Sequence, residues 1–178
     1  ILSEIDQLIL NKKLLLKKIQ LISKAHIFHQ IYNFHNHKYF KNSCFGKIPI
    51  NWEIKTLNQV GDFKNGINKP KEAFGKGTKF VNISDAYLEE LDVNALDRLE
   101  VSLKEIDEYK LQKGDLVFVR SSVKLQGVGV PTVFKESNEE VLFCGFMIRF
   151  RLKQQEINPF YLKEYLLTDN ARIRIERV

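Results

Sequence analysis

The segment Leu111–Val130, LQKGDLVFVRSSVKLQGVGV, places a cluster of hydrogen-bonding side chains directly after a hydrophobic run. The run Asp115–Val119 is rich in β-branched and aromatic residues and predicts a buried β-strand. The polar side chains that follow it are those of Arg120, Ser121, Ser122, Lys124 and Gln126. At loop tips, guanidinium, amide and hydroxyl groups of this kind can hydrogen-bond to the edges of bases in a DNA groove. The alternative for Arg120 is a salt bridge to the acidic stretch 83–110.

A second segment rich in donors is Lys64–Lys79, KNGINKPKEAFGKGTK, which carries five lysines against one glutamate. The later stretch Ile83–Lys110 has nine acidic residues against three basic ones. A phosphate backbone is attracted to the first segment and repelled by the second, so we expect a polyanion at the lysine segment. The candidate DNA contacts there are Lys64, Asn65, Asn68, Lys69, Lys71, Lys76 and Lys79. A solvated loop with no partner is the alternative.

Composition is consistent with one globular domain and an appendage, since the 178 residues are 44% hydrophobic. The formal net charge of +6 favours an acidic partner such as nucleic acid. Two distant cysteines, Cys44 and Cys144, predict neither a disulfide framework nor a zinc site and favour a reducing cytosol. We expect no membrane span and no secretory signal. The only methionine, Met147, leads us to expect a piece of a longer protein.

In the first 26 residues, mostly apolar residues recur at alternating spacings of four and three residues, which predicts a long amphipathic helix with a heptad seam. We expect this seam to pair with a second helix, in cis or in trans, although a helix lying on its own domain is an alternative. The predicted helix-pairing residues are Ile1, Ile5, Leu8, Leu15, Ile19 and Ile22, with polar seam positions at Lys12 and His26.

Residues 27–47 are interpreted as a linker, and residues 48–178 as an irregular, mostly antiparallel β-domain, so the predicted fold class is α+β. The predicted strands are Trp52–Leu57, Lys79–Ile83, Arg98–Val101, Asp115–Val119, Gly129–Phe134 and Val141–Arg151. Ser102 and Glu105 form a capping-box pattern for a short helix through Tyr109, with Gly114 following as its stop, and Asn158-Pro159 opens another.

Two arginines, Arg149 and Arg151, alternate on the last predicted strand and therefore share one of its faces. They either line a DNA surface or occupy a solvated face. The apolar residues around them, Phe143, Phe146, Met147, Ile148 and Phe150, are interpreted as core.

The histidines are interpreted as linker residues. The string FHNHK at Phe34–Lys38 spells the letters of an HNH nuclease, but the other residues of such a metal site are missing from the pattern. We therefore predict no metal site.

Six segments occur in an order that resembles the target recognition domain of type I restriction-modification specificity subunits. They are GKIPINWEIKTLNQVGDFKNGINK, KFVNISDA, LQKGDLVFVRSS, GVGVPTVF, CGFMIRFR and NPFYLKEYLL. The preceding helix resembles the coiled-coil spacer of that family. The resemblance covers nearly the whole chain, but a full subunit has two recognition domains and two spacer helices, whereas this chain has one of each.

The resemblance implies a cytoplasmic, non-catalytic protein that binds double-stranded DNA and reads one half of a bipartite site. Separate methylation subunits and a restriction subunit would then modify adenine or cleave. The residues agree with that division, because we find no adenine-methyltransferase NPPY segment, no P-loop and no Gly-rich cofactor loop, and we predict no cofactor. The alternatives are the recognition domain of a fused restriction-modification polypeptide and a catalytic nuclease domain.

Overall fold

The computed structural model describes residues 2–32, 37–88, 91–122 and 127–176. Contacts divide the chain into two compact units, Ile1–Ile54 and Lys55–Val178. Helices and antiparallel sheets occur in the same chain, which confirms the predicted α+β class. Within the described ranges, no helix has the length and apolar character needed to cross a membrane.

The first unit consists of a long helix and a β-hairpin. Helix α1 spans Leu2–Tyr32, and strands β1 (Phe40–Ser43) and β2 (Gly46–Pro49) pair in antiparallel register. The helix therefore runs past the predicted end at residue 26, and a hairpin occupies part of the predicted linker. The segment 27–32 contains neither Gly nor Pro. Its aromatic and histidine residues lower helix propensity by only a few tenths of a kcal/mol each, so the helix can continue through it.

The described part of the second unit contains two sheets and five short helices. Its strands are β3 (Gly61–Asn65), β4 (Phe74–Val81), β5 (Arg98–Leu99), β6 (Leu116–Val119), β7 (Pro131–Val133), β8 (Val141–Phe143) and β9 (Met147–Leu152). Its helices are α2 (Leu57–Val60), α3 (Ile83–Ala86), α4 (Leu103–Tyr109), α5 (Pro159–Leu166) and α6 (Asp169–Ile175), and a 3-10 turn covers Lys71–Ala73.

One sheet has the order β3-β9-β6-β7 and is antiparallel throughout, and the other has the order β5-β4-β8 with β4 and β8 parallel. The predicted strand Trp52–Leu57 is wrong, because these residues form no strand before α2 begins. The predicted strand Val141–Arg151 is two strands in different sheets. The turn between them contains Gly145, and glycine readily interrupts a strand.

The inner strands of the larger sheet, β9 and β6, pack on both faces. Every residue of β6 is buried, and its residues alternate between two hydrophobic clusters. Val117 and Val119 face the cluster built with the smaller sheet, whereas Leu116 and Phe118 face the cluster built with α2 and α5. Because side chains alternate along a strand, this pattern makes the larger sheet the middle layer of the unit.

Two helix starts follow the predicted capping chemistry. The Ser102 backbone N–H donates to Glu105 Oε2 at 2.8 Å, and the Glu105 N–H donates to Ser102 Oγ at 3.3 Å, which is a reciprocal capping box. Asn158 Oδ1 accepts from the N–H groups of Phe160 and Tyr161 at the start of α5. Helix α4 ends at Tyr109, which confirms the predicted end of this helix.

A buried ion pair joins β9 to the start of β6. Arg151 donates from Nε to Asp115 Oδ1 at 2.8 Å and from a terminal nitrogen to Oδ2 at 2.7 Å. The same guanidinium donates to the Lys110 carbonyl oxygen at 3.2 Å, and the Gln112 N–H donates to Asp115 Oδ2 at 2.7 Å. Asp115 is only 1% exposed, so these hydrogen bonds replace those that its carboxylate would make with water.

We expect Asp115→Asn to lower the free energy of unfolding by about 3 kcal/mol, because it leaves the half-buried Arg151 guanidinium without its counter-ion. Urea denaturation measures the change. The matched control is Asp62→Asn, whose partner Lys153 lies 2.6 Å away on the surface, where an ion pair contributes less than about 1 kcal/mol. Equal losses in the two variants would show that burial does not determine the contribution of Asp115.

Candidate nucleic-acid interface

Three chain segments meet where strands of the larger sheet end. In the antiparallel register, Asn65 of β3 lies opposite Ile148, and Val119 of β6 lies opposite Met147. The Gly66 N–H donates to the Met147 carbonyl oxygen at 3.1 Å, and the Arg120 N–H donates to the Phe146 carbonyl oxygen at 2.8 Å. We call residues 65–68, 120–122 and 144–146 together the three-loop edge. Its loops are held by backbone hydrogen bonds to β9 and the turn before it.

Within the three-loop edge, Asn68 lies across the turn that precedes β9. The Ile67 N–H donates to the Phe143 carbonyl oxygen at 3.0 Å, and Ile67 forms an isolated bridge with Cys144. A Cβ atom at Gly145 would overlap the Asn68 side-chain amide. Asn68 is exposed, and no hydrogen bond of its amide is recorded to any described residue. Glycine at position 145 therefore leaves the space in which this amide sits.

The aromatic side chain of Phe146 is at the tip of the same turn and is 56% exposed. Its prediction as a core residue is wrong, whereas Phe143, Met147 and Phe150 are fully buried and Ile148 packs against the second cluster. A local signal for this outcome exists in the sequence, because Phe146 directly follows Gly145 between two hydrophobic runs. An exposed ring beside polar loop ends can contact the methyl group of thymine.

Arg120 and Ser121 are exposed directly after β6. No ion pair joins the Arg120 guanidinium to any residue that the structure describes, so the alternative of a salt bridge to the acidic stretch finds no support in those ranges. Ser122 is partly buried, and its hydroxyl oxygen accepts a hydrogen bond from Tyr87 at 3.1 Å. Lys124 and Gln126 lie outside the described residues.

The lysine segment is paired with carboxylates. The ion pairs are Lys64–Glu108 at 3.0 Å, Lys69–Glu105 at 2.7 Å, Lys76–Glu100 at 3.0 Å and Lys79–Glu139 at 2.8 Å. Three of these glutamates belong to the acidic stretch 83–110, because β5 pairs with β4 and brings that stretch alongside the lysines. The lysine segment is therefore largely neutralised within the protein, and its contact with a polyanion stays a prediction. Lys71 is exposed, and no ion pair is recorded for it among the described residues.

Hydrogen bonding lowers the pKa of two of these glutamates, Glu105 and Glu139. The ammonium group of Lys69, followed by the backbone and hydroxyl of Ser102, lowers the pKa of Glu105 to about 2. Lys79 and then Arg98 lower the pKa of Glu139. Each carboxylate is therefore charged at neutral pH and neutralises its lysine. Lys79 and Lys69 are also largely covered, whereas Lys76 is exposed on a surface pair that is easily exchanged for another anion.

Positive charge is concentrated in the first unit. Residues 1–54 carry eight lysines against three acidic residues, whereas residues 55–178 carry twenty basic against nineteen acidic residues. The net charge of the chain thus gives little general attraction of a polyanion to the second unit. Recognition there has to come from individual exposed groups.

Arg149 and Arg151 point to the covered face of the larger sheet. Arg151 is held by Asp115. Arg149 lies between Lys64 on β3 and Val117 on β6, and its buried Nε has no hydrogen-bond partner among the described residues. Burial, and then the charge of Arg151, lowers the pKa of Arg149. Both arginines lie away from the three-loop edge along β9, so we leave them out of the contacts proposed below.

The predicted helix-pairing residues are exposed. The exposed fractions of Ile5, Leu8, Leu15, Ile19 and Ile22 lie between 47% and 69%. Ile1 lies outside the described residues. An apolar seam of this length is typical of a helix that pairs with another, and the pairing stays a prediction.

The chain is similar in sequence to curated type I restriction enzyme specificity subunits. It is 30% identical over 112 residues to the EcoKI specificity subunit of Escherichia coli (strain K12), which covers 62% of this chain and 24% of that protein. It is 28% identical over 134 residues to the putative MjaX specificity subunit of Methanocaldococcus jannaschii, which covers 72% of this chain and 30% of that protein. The chain thus spans about a quarter to a third of the length of these relatives. No protein-family model matches it.

Solved structures show the same fold. The HsdS subunit from Thermoanaerobacter tengcongensis matches with a TM-score of 0.57 at 16% identity, over 90% of this chain and 35% of that one. A chain from a study of complex assembly and conformational transition of the type I R-M system matches with a TM-score of 0.53 at 13% identity, over 95% and 41%. Together with the sequence relatives, these matches confirm the resemblance to one segment of a type I specificity subunit.

We expect Gly145→Ala to weaken DNA binding about as much as Asn68→Ala, because the added methyl displaces the Asn68 amide. The backbone of Gly145 has a negative φ, and the displaced group is the end of a flexible side chain, so the melting temperature should change little. Fluorescence anisotropy with duplex DNA measures binding, and Ala95→Ser in an exposed turn outside the three-loop edge is a control for an added side-chain atom. Full DNA affinity in Gly145→Ala would remove Asn68 from the candidate contacts.

Proposed function

We propose that this chain, a relative of type I restriction enzyme specificity subunits, is a DNA-reading module of a type I restriction-modification system. The second unit reads one half of a bipartite duplex site. The first unit carries a spacer helix that sets the distance to the other half. Similarity to the curated relatives and the match to their fold support the proposal.

The observation that carries the proposal is the three-loop edge. It presents Arg120, Asn68 and Phe146 from adjacent loops, each exposed, whereas Lys64 of β3 pairs with Glu108 and Arg151 of β9 pairs with Asp115. Arginine pairs with guanine and asparagine with adenine in the major groove, and a phenyl ring contacts the thymine methyl. Loops anchored at the ends of buried strands hold such groups in a fixed arrangement, which sequence reading needs.

Contacts to phosphates complete the proposed surface. Lys71 is exposed beside the loop that carries Asn68, and Ser121 and Asn65 add a hydroxyl and an amide. Lys76 can exchange Glu100 for a phosphate because their pair is exposed. Such contacts orient a protein on the duplex without selecting sequence.

The proposed module has no catalytic role. Methylation and restriction subunits would act on the DNA that it selects, and a second spacer helix would cover the apolar seam of α1. The proposed location is the cytoplasm, where chromosomal and invading DNA are accessible to such a complex. The names of the relatives, which are specificity subunits of restriction enzymes, support this division of labour.

We expect Arg120→Ala to weaken binding to a preferred duplex by roughly 1 to 3 kcal/mol and to have much less effect on a scrambled duplex, because it removes a base contact. The preferred duplex is first obtained by enrichment from a random-sequence library. Lys113→Ala is the matched control, since Lys113 precedes the opposite end of β6 and pairs with Glu136 on the surface. Equal losses on both duplexes would show that Arg120 contacts phosphate and not a base.

The spacer helix is expected to act as a ruler. Insertion of seven residues after Leu8 keeps the heptad seam and lengthens the helix by about 10.5 Å, at about 1.5 Å per residue. With about 3.4 Å per base pair, the gap between half-sites should grow by about three base pairs while both half-sites stay the same. The test is to map methylated adenines with the parent subunit and its methylation partner. A new half-site with the old gap would contradict the ruler.

A further inference from the structure

Tyr87 contacts two described points of the chain, Ser122 and Gly127, that follow Arg120 and Ser121 of the three-loop edge. Its hydroxyl donates to Ser122 Oγ at 3.1 Å and lies 3.5 Å from the Gly127 carbonyl oxygen. A Cβ atom at Gly127 would overlap both the Ser122 side chain and the Tyr87 hydroxyl. Ser122 and Gly127 are therefore in contact, with the tyrosine hydroxyl at their junction.

Arg172 of α6 holds the next part of the same segment. Its guanidinium donates to the Val128 carbonyl oxygen at 2.7 Å and to Glu176 Oε1 at 3.2 Å. A Cβ atom at Gly129 would lie 2.6 Å from Ile175 Cγ2, and Gly129 has a φ of +68°, so the chain packs closely against α6 there. The Gly129 N–H donates to the Val119 carbonyl oxygen at 2.7 Å, which returns the segment to the end of β6.

These contacts lie at the edge of the hydrophobic core. Tyr87 is 47% exposed, and neither core cluster contains Tyr87, Ser122 or Gly127. A single exposed hydrogen bond contributes little to global stability, but here it restrains the described residues on either side of positions 123–126. Its main effect is therefore on the conformation of one segment.

We propose that Tyr87 and Arg172 are positioning residues for sequence discrimination: they fix the segment that presents Arg120 and Ser121 without contacting DNA themselves. The inference rests on the proposed function and adds two residues from outside the three-loop edge. Base-edge hydrogen bonds depend on precise placement of the donor. A segment that loses its contact with Tyr87 or with Arg172 should therefore lose discrimination between DNA sequences before it loses its phosphate contacts.

The principal variant is Tyr87→Phe, which removes only the hydroxyl. In the full chain, the ratio of affinity for the enriched duplex to that for its scrambled counterpart should fall by about three- to tenfold, the factor typical of one neutral hydrogen bond. Affinity for the scrambled duplex and the melting temperature should stay close to wild type. Tyr39→Phe is the matched control, because Tyr39 is an exposed tyrosine of the first unit.

Two further variants separate positioning from general stability. Tyr87→Phe combined with Ser122→Ala should reduce the ratio no more than the larger single effect, because both changes break the same contact. Arg172→Met should reduce the ratio, whereas Glu176→Gln should leave it unchanged, since only the arginine change removes the bond to Val128.

Hydrogen exchange tests the restraint without DNA. The amide of Gly129 should exchange several-fold faster in Tyr87→Phe and Arg172→Met than in wild type, while amides of β6 and β9 keep their protection. Unchanged exchange together with an unchanged affinity ratio would overturn the inference. If the wild-type chain enriches no DNA sequence at all, the proposed function is contradicted. Faster exchange in the variants would in that case show that Tyr87 and Arg172 restrain the segment, but the role in sequence discrimination would be overturned.

Discussion

The antiparallel register of β9 between β3 and β6 is the constraint on which the rest of the second unit depends. It places the end of β3, the turn before β9 and the end of β6 side by side, with Asn65 opposite Ile148 and Val119 opposite Met147. A slip of one residue would exchange the two faces of β9, turning Phe150 out of its hydrophobic cluster and Arg151 away from Asp115. Packing on both faces of β9 therefore selects one register, and that register assembles the three-loop edge.

The same register explains the roles of the charged residues. Asp115 and Arg151 lie on one face and complete a bidentate pair, which removes both charges from the surface. The pairing of β4 with β5 brings glutamates to the lysine segment. A nearly neutral unit results, with its exposed unpaired groups at loop ends. Such a surface gives weak attraction to arbitrary DNA, and an arrangement of this kind favours discrimination between sequences.

The two units divide the charge and the apolar surface between them. The first carries most of the net positive charge of the chain and a seam of exposed aliphatic side chains, and the second carries the packed core. This division fits a chain in which one element sets distance and another reads bases. Tyr87, directly after α3, and Arg172 of α6 add further support in the second unit, because they hold the chain that follows Arg120 and Ser121 from outside the three-loop edge.

Local chemistry in the sequence was enough to determine several elements. Ser102 and Glu105 are three residues apart and specify the start of α4, Asn158 specifies the start of α5, and the hydrophobic run before Arg120 specifies β6. Each depends on neighbours within one turn or one strand. The six motif segments likewise identified the resemblance, because their order is a property of the chain alone.

Tertiary structure alone decided which polar groups remain available. Lys64 meets Glu108, Arg151 meets Asp115 and Tyr87 meets Ser122 across separations of 44, 36 and 35 residues. No local pattern encodes such pairs, since they depend on strand order and register. The exposure of Phe146 was decided in the same way, because a hydrophobic run became two strands in different sheets with that ring at the turn. The local sequence determined which polar side chains are present and where several helices and strands begin. The fold determined which of these side chains reach the surface unpaired.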